Sequence, residues 1–160
     1  MIKTMFDNLN LFSAGDFATV NKQLYDNGVI CPSGETTIAT TALKVTNSSG
    51  NAAIGNGSAL IKGRVITISG ETVTLSTDGT YKIVLEWSAA SDGSSLKALS
   101  GSATLVQTDT QYQLLLATVD RSGTNLAATD GRTFVNKLSG NTALSIQTVP
   151  VTATPPTEGQ

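Results

Sequence analysis

The residue types that most often carry out covalent or metal chemistry are nearly absent from this chain. It has no histidine and one cysteine, Cys31, so neither a Ser-His-Asp or Cys-His triad nor a His/Cys zinc site can be built. A Ser-Lys pair would need a Ser-x-x-Lys motif that opens a helix, and no helix is predicted around Ser95-Leu96-Lys97, where Ser95 is also one residue too close to the lysine. We therefore expect no catalytic residue, no metal and no cofactor, and one cysteine excludes an internal disulfide.

Carboxylates are the remaining candidates, because a fold can bring two together for glycoside hydrolysis. However, Asp78, Asp92 and Asp130 each precede a glycine directly, and Asp26 precedes Asn27-Gly28. Aspartate before glycine is typical of turns. We interpret these acids as turn residues and rank a hydrolase third among the functional alternatives.

Asp130 and Arg132 are two residues apart, so they share one side of an extended backbone. The interpretation that we favour is a charge-assisted pair that fixes the chain where it leaves the core. The alternative is a contact with a sugar or a partner protein.

Tyr81 and Trp87 lie on one face of a predicted strand over residues 81–87, because side chains alternate along a strand. Two aromatic rings on one face can form a sugar-stacking platform, and we name both as candidate ligand-binding residues. A place in the core is the more common role for such rings. The opposite face carries Lys82, Val84 and Glu86.

Lys62 and Arg64 flank Gly63 within a predicted strand over residues 59–68. Glycine inside a strand pattern is typical of a β-bulge. Like charges here would contact an acidic partner or, more simply, form a solvated edge that resists pairing with other strands.

The composition excludes several classes of protein. A length of 160 residues suits one domain. The net charge is −2, with the bases spread along the chain, whereas nucleic-acid binding needs a clustered basic face. No apolar run is long enough for a membrane span or a signal peptide. We thus expect no nucleic-acid partner, no membrane insertion and synthesis in the cytoplasm.

A helix of about three turns is predicted after Ser13, which stands three residues before Asp16 in a capping arrangement. Phe17, Val20 and Leu24 recur at helical spacing. They form an apolar stripe that should dock on a neighbouring element or subunit, so we expect an interface role for these three residues.

Strands are predicted from residue 29 to about residue 134, at residues 42–46, 52–54, 59–68, 72–75, 81–87, 103–106 and 112–119. Residues 112–119 carry apolar groups on both faces, with Leu114 and Leu116 on one and Leu115, Ala117 and Val119 on the other. A strand buried on both faces belongs in the middle of a sandwich or against a partner. The prediction is an all-β, antiparallel β-sandwich with one short N-terminal helix. It divides the chain into an arm (1–12), a helix-plus-sandwich domain (13–135) and a flexible extended tail (136–160).

The order of these elements resembles the N-terminal or shoulder-type β-sandwich module of tailed-phage baseplate and tail-fibre proteins. The resemblance covers roughly residues 15–134 and lies in residues 25–29, 43–45, 57–64, 83–85, 116–119 and 130–132. It implies a non-enzymatic part of the virion, usually trimeric, that joins other tail or baseplate proteins to receptor-binding elements. The alternative is a receptor- or carbohydrate-binding module in which Trp87 and the loops 47–51 and 91–95 hold a host surface polysaccharide.

Overall fold

Residues 14–135 are the part of the chain that the computed structural model describes. One helix, α1 (Ala14–Leu24), precedes ten strands. The strands are β1 (Gly28–Ile30), β2 (Val45–Ser48), β3 (Asn51–Ile54), β4 (Gly57–Ile61), β5 (Arg64–Ile68), β6 (Glu71–Val73), β7 (Gly79–Ser88), β8 (Gly93–Ser100), β9 (Gln111–Ser122) and β10 (Asn125–Asp130). The predicted arm, the Ser13 cap and the predicted tail from residue 136 lie outside the described residues.

The strands form three antiparallel sheets, ordered β10-β9-β7-β8, β1-β4-β5 and β2-β3-β6. One hydrophobic core joins all three, with Leu85 from the four-stranded sheet, Ile61 from the second and Ile54 from the third each at most 1% exposed. The all-β, sandwich-like prediction is confirmed. The residues of β3, β4 and β7 that belong to this core are every second one along each strand, as the alternation of side chains along a strand requires.

A β-bulge in β9 corrects the predicted faces of residues 112–119. Ile83 in β7 lies opposite Ala117, but the next residue, Val84, lies opposite Leu115. Leu116 is therefore an extra residue in β9. It belongs to the core cluster together with Leu114, Ala117 and Val119. The predicted division into two faces was wrong because a bulge shifts the alternation by one residue.

Three further strand predictions need correction. The glycine at position 63 does not mark a bulge, because β4 and β5 pair as a hairpin whose last partners are Ile61 and Arg64. Both turn residues between them have positive φ, +51° at Lys62 and +77° at Gly63, as tight hairpin turns require. β8 and β10 were not predicted, and residues 103–106 form no strand.

Helix α1 packs through a different face from the predicted one. Ala18 is 4% exposed against the Lys62–Gly63 turn, and the Asn21 side chain donates a hydrogen bond to the Gly63 carbonyl at 3.1 Å. Phe17 and Leu24 are 50% and 49% exposed, and Val20 is half-buried. The prediction that the apolar stripe packs against the rest of this chain was therefore wrong. The helix lies so close to the Lys62–Gly63 turn that a small residue, Ala18, has to face it.

Candidate functional site

Trp87 lies at one end of the sandwich, where three connections meet. In β7 it is opposite Ser94 of β8 and Tyr112 of β9, and the β4–β5 turn and α1 lie nearby. Its side chain is 4% exposed and belongs to the core cluster. A ring buried to this extent cannot stack on a sugar, so Trp87 has the core role that the sequence favoured and not the stacking role named as its alternative.

Arg64 covers the indole ring. Its guanidinium carbon lies 4.5 Å from the centroid of the Trp87 ring, and its Nε is 3.1 Å from a carboxylate oxygen of Asp92. Lys62 is placed in the same way over a ring of the neighbouring strand β9. Its ammonium lies 5.4 Å from the Tyr112 ring and 3.1 Å from Asp109. The predicted solvated edge was wrong, because both cations fold back over aromatic rings, which attract positive charge.

These residues border two adjoining cavities that we call the Trp87 groove. The larger one measures about 390 Å³ and is lined by Arg64, Val65, Ile66, Thr67, Trp87, Asp92, Gly93 and Ser94. The smaller measures about 130 Å³ on the helix side and is lined by Gly15, Ala18, Thr19, Lys22, Lys62, Arg64, Trp87 and Asp109. Arg64 and Trp87 belong to both.

The groove has an excess of positive charge. Among its lining residues, Lys22, Lys62 and Arg64 are cations and Asp92 and Asp109 are anions, which leaves a formal charge of +1. The hydrogen bond from Lys62 and its positive charge lower the pKa of Asp109, so this carboxylate stays ionised at neutral pH. The Trp87 indole N–H is buried and has no hydrogen-bond partner among the described residues.

The other predicted ligand residue, Tyr81, does not belong to this groove. It lies six positions earlier on β7, and its hydroxyl is 2.6 Å from the Thr77 hydroxyl. Neither predicted loop is a loop throughout, since residues 93–95 begin β8 and the 47–51 segment is mostly the ends of β2 and β3. Only the segment 91–95 borders the groove. The segment 47–51 instead packs on the β9–β10 turn, where Asn47 donates to the Thr124 carbonyl at 3.2 Å.

Asp130 and Arg132 form the predicted ion pair. The Arg132 Nη2 lies 2.7 Å from one Asp130 oxygen and its Nε lies 2.9 Å from the other. Its Nη1 donates to the carbonyls of Thr40 and Ala42 at 3.0 and 2.7 Å. The hydrogen bonds from Arg132 outweigh partial burial and lower the pKa of Asp130. The pair thus ties the end of β10 to the residues that precede β2.

A buried polar cluster around Glu86 was not predicted. The connection from β8 to β9 crosses β7 on the face away from the core, where Val106 accepts from the Gln113 amide at 2.8 Å. Beneath it Glu86 is 5% exposed and accepts hydrogen bonds from Lys97 at 2.6 Å and Gln113 at 2.6 Å. Burial raises the pKa of Glu86, but the bonds from Lys97, Gln113 and Gln111 outweigh it and the net pKa is lowered.

We expect Glu86→Gln to lower the free energy of unfolding by about 2 kcal/mol at neutral pH, because it removes charge-assisted hydrogen bonds. A lowered folded-state pKa stabilises the protein above the ordinary glutamate range and ceases to do so as pH falls. The difference between the variant and the wild type should therefore shrink on acidification. Urea unfolding of both proteins at neutral and acidic pH measures it, and a difference independent of pH would contradict the account.

Within residues 14–135, no group of three or more His, Cys, Asp or Glu side chains is placed to hold a metal ion. The same part of the chain contains no helix of the length and hydropathy that a membrane span needs.

Comparison with known proteins gives no identification: no family model matches the chain, and neither a curated protein nor a solved structure is similar to it.

Proposed function

We propose that this chain is a structural subunit of a bacteriophage tail or baseplate that assembles as a homo-oligomer and catalyses no reaction of its own. Two observations support the proposal. One is the resemblance in the order of its elements to shoulder-type modules of tail proteins. The other, which carries the oligomer, is an apolar surface on the outer face of the β1-β4-β5 sheet.

That outer apolar surface is a depression of about 260 Å³ lined by Asn21, Tyr25, Ile30, Leu60, Val65 and Val135. Val65 and Tyr25 are 60% and 37% exposed, and Leu60 lies opposite Val65 in the hairpin. None of the lining residues is charged, so two copies can meet here without repulsion. Exposed apolar surfaces of this kind are typical of protein interfaces.

A second copy of the chain is the occupant that we infer. Most homo-oligomers have closed rotational symmetry, and an uncharged apolar surface can pack against the surface of another copy without charge repulsion. Leu24, from the predicted interface stripe, follows on the same helix and is 49% exposed. The trimer of the resembling modules is the expected state.

The test is sedimentation velocity of the full chain at micromolar concentration. We expect a trimer for the wild type and dissociation for Val65→Asp, because a carboxylate placed on the apolar surface must be desolvated on assembly. Ile38→Asp is the matched control, since Ile38 is 94% exposed and does not line the surface. A monomeric wild type, or equal effects of the two variants, would overturn the proposal.

A second candidate function is the binding of a host-surface saccharide. One observation favours it: Trp87 and the loop 91–95, named together in this role from the sequence, border the same groove. Its volume of about 390 Å³ lies in the range of small-molecule sites.

A further inference from the structure

We propose that the Trp87 groove binds an acidic saccharide, a sugar unit bearing a carboxylate, rather than a neutral one. The inference rests on the second candidate function and names its ligand class. It differs from the stacking role first considered for Trp87, because the indole ring is buried beneath Arg64 and Arg64 contributes the charge.

The larger cavity has the mixed lining that a sugar ring requires. Thr67 and Ser94 supply hydroxyl groups, and Asp92 supplies a carboxylate that can accept from sugar hydroxyls. Ile66 supplies apolar surface for the C–H face of a ring, whereas the neighbouring Val65 lies on the outer apolar surface assigned to the oligomer. A cavity with a few polar groups on an apolar wall is typical of small-molecule sites.

Arg64 is held ready for a carboxylate. Its guanidinium is held between the Trp87 ring, 4.5 Å from its carbon, and Asp92, 3.1 Å from its Nε. The Asp92 side chain is 69% exposed, and ion pairs so open to solvent are weak. An incoming carboxylate can therefore share the guanidinium, whose planar fork matches two carboxylate oxygens.

The remaining donors favour an anion as well. Lys22 and Lys62 line the smaller cavity next to Arg64. Lys62 and Arg64 are paired with Asp109 and Asp92, so Lys22 accounts for the net positive charge of the lining.

Trp87 is the single tryptophan of the chain, so its fluorescence reports on this groove alone. The full chain is titrated with an oligosaccharide of uronic acids and with the neutral oligosaccharide of the same length, by fluorescence and calorimetry. We expect saturable binding of the acidic probe and binding at least about tenfold weaker for the neutral one, since a charge-assisted bond is lost. Added salt should weaken the acidic complex.

Arg64→Gln should abolish this preference, and Lys44→Gln, which removes a charge from an exposed residue outside the groove, should leave it intact. Thermal unfolding of both variants verifies that they fold. If Arg64→Gln proves unstable, Ser94→Leu, which fills the larger cavity, must likewise abolish binding.

Equal binding of neutral and acidic probes would overturn the inference and leave saccharide binding standing. Binding of acetate or inorganic phosphate as tightly as the oligosaccharide would also overturn it, since the groove would then be a simple anion site. Binding of no probe would remove both the inference and the second candidate function. None of these results bears on the oligomer, which the sedimentation experiment tests separately.

Discussion

Replacing Arg132 with alanine should lower the free energy of unfolding by about 3 kcal/mol, from lost charge-assisted hydrogen bonds and the space left by the side chain together. The Arg132 side chain is 1% exposed, so the substitution leaves a cavity. It also leaves the carbonyls of Thr40 and Ala42 without their donor. Chemical denaturation followed by Trp87 fluorescence gives the value, because the single indole lies in the common core.

Two further variants separate charge from geometry. Arg132→Lys keeps the charge but loses the fork that reaches Asp130 and the two carbonyls at once, and we expect an intermediate loss. Asp130→Asn should cost least, because the Asp130 side chain is 49% exposed and its charge is partly screened by water. A loss below about 1 kcal/mol for Arg132→Ala, the ordinary effect of a substitution, would show that the pair does not hold the end of β10.

The fold class follows from sequence patterns that depend only on local alternation. Residues 81–87 alternate in polarity and β7 forms there, while the acidic-x-basic spacing of Asp130 and Arg132 predicted their pairing. Both predictions use only the alternation of side chains along a strand and the length of two side chains. Neither requires knowing which strands pair with each other.

What could not be predicted depends on distant pairing. The bulge at Leu116 is visible only once β9 is in register with β7. β8 has three serines and one glycine among its eight residues, and β10 has one buried apolar residue, Leu126. Neither strand carries an alternation strong enough to be recognised alone.

The candidate groove was missed for a related reason. Trp87 was named, but its partner Arg64 was assigned to a continuous strand with a bulge. The dipeptide Lys62-Gly63 was the available signal, because a glycine between two short apolar runs also predicts a tight hairpin turn. Such a turn places Arg64 at the first position of β5, from which its side chain reaches across to β7.

Gly63→Ala should be the most disruptive change of a single methyl group, with a loss of about 3 kcal/mol from backbone strain and overpacking together. At φ +77° an added Cβ overlaps the carbonyl oxygen of Ala18, which belongs to the backbone of α1 and cannot rotate away. The helix must therefore shift off the turn. Hydrogen exchange should show faster exchange of the α1 amides than in the wild type.

Gly34→Ala is the matched control, since Gly34 has a similar φ of +85° and no atom within 4 Å of an added Cβ. It carries the strain without the collision, and we expect a loss of about 1 kcal/mol and unchanged exchange in α1. Equal losses for the two variants would mean that α1 does not depend on close approach to the turn. A larger loss for Gly63→Ala, together with faster exchange in α1, would show that the packing of α1 on this turn depends on the missing Cβ at position 63.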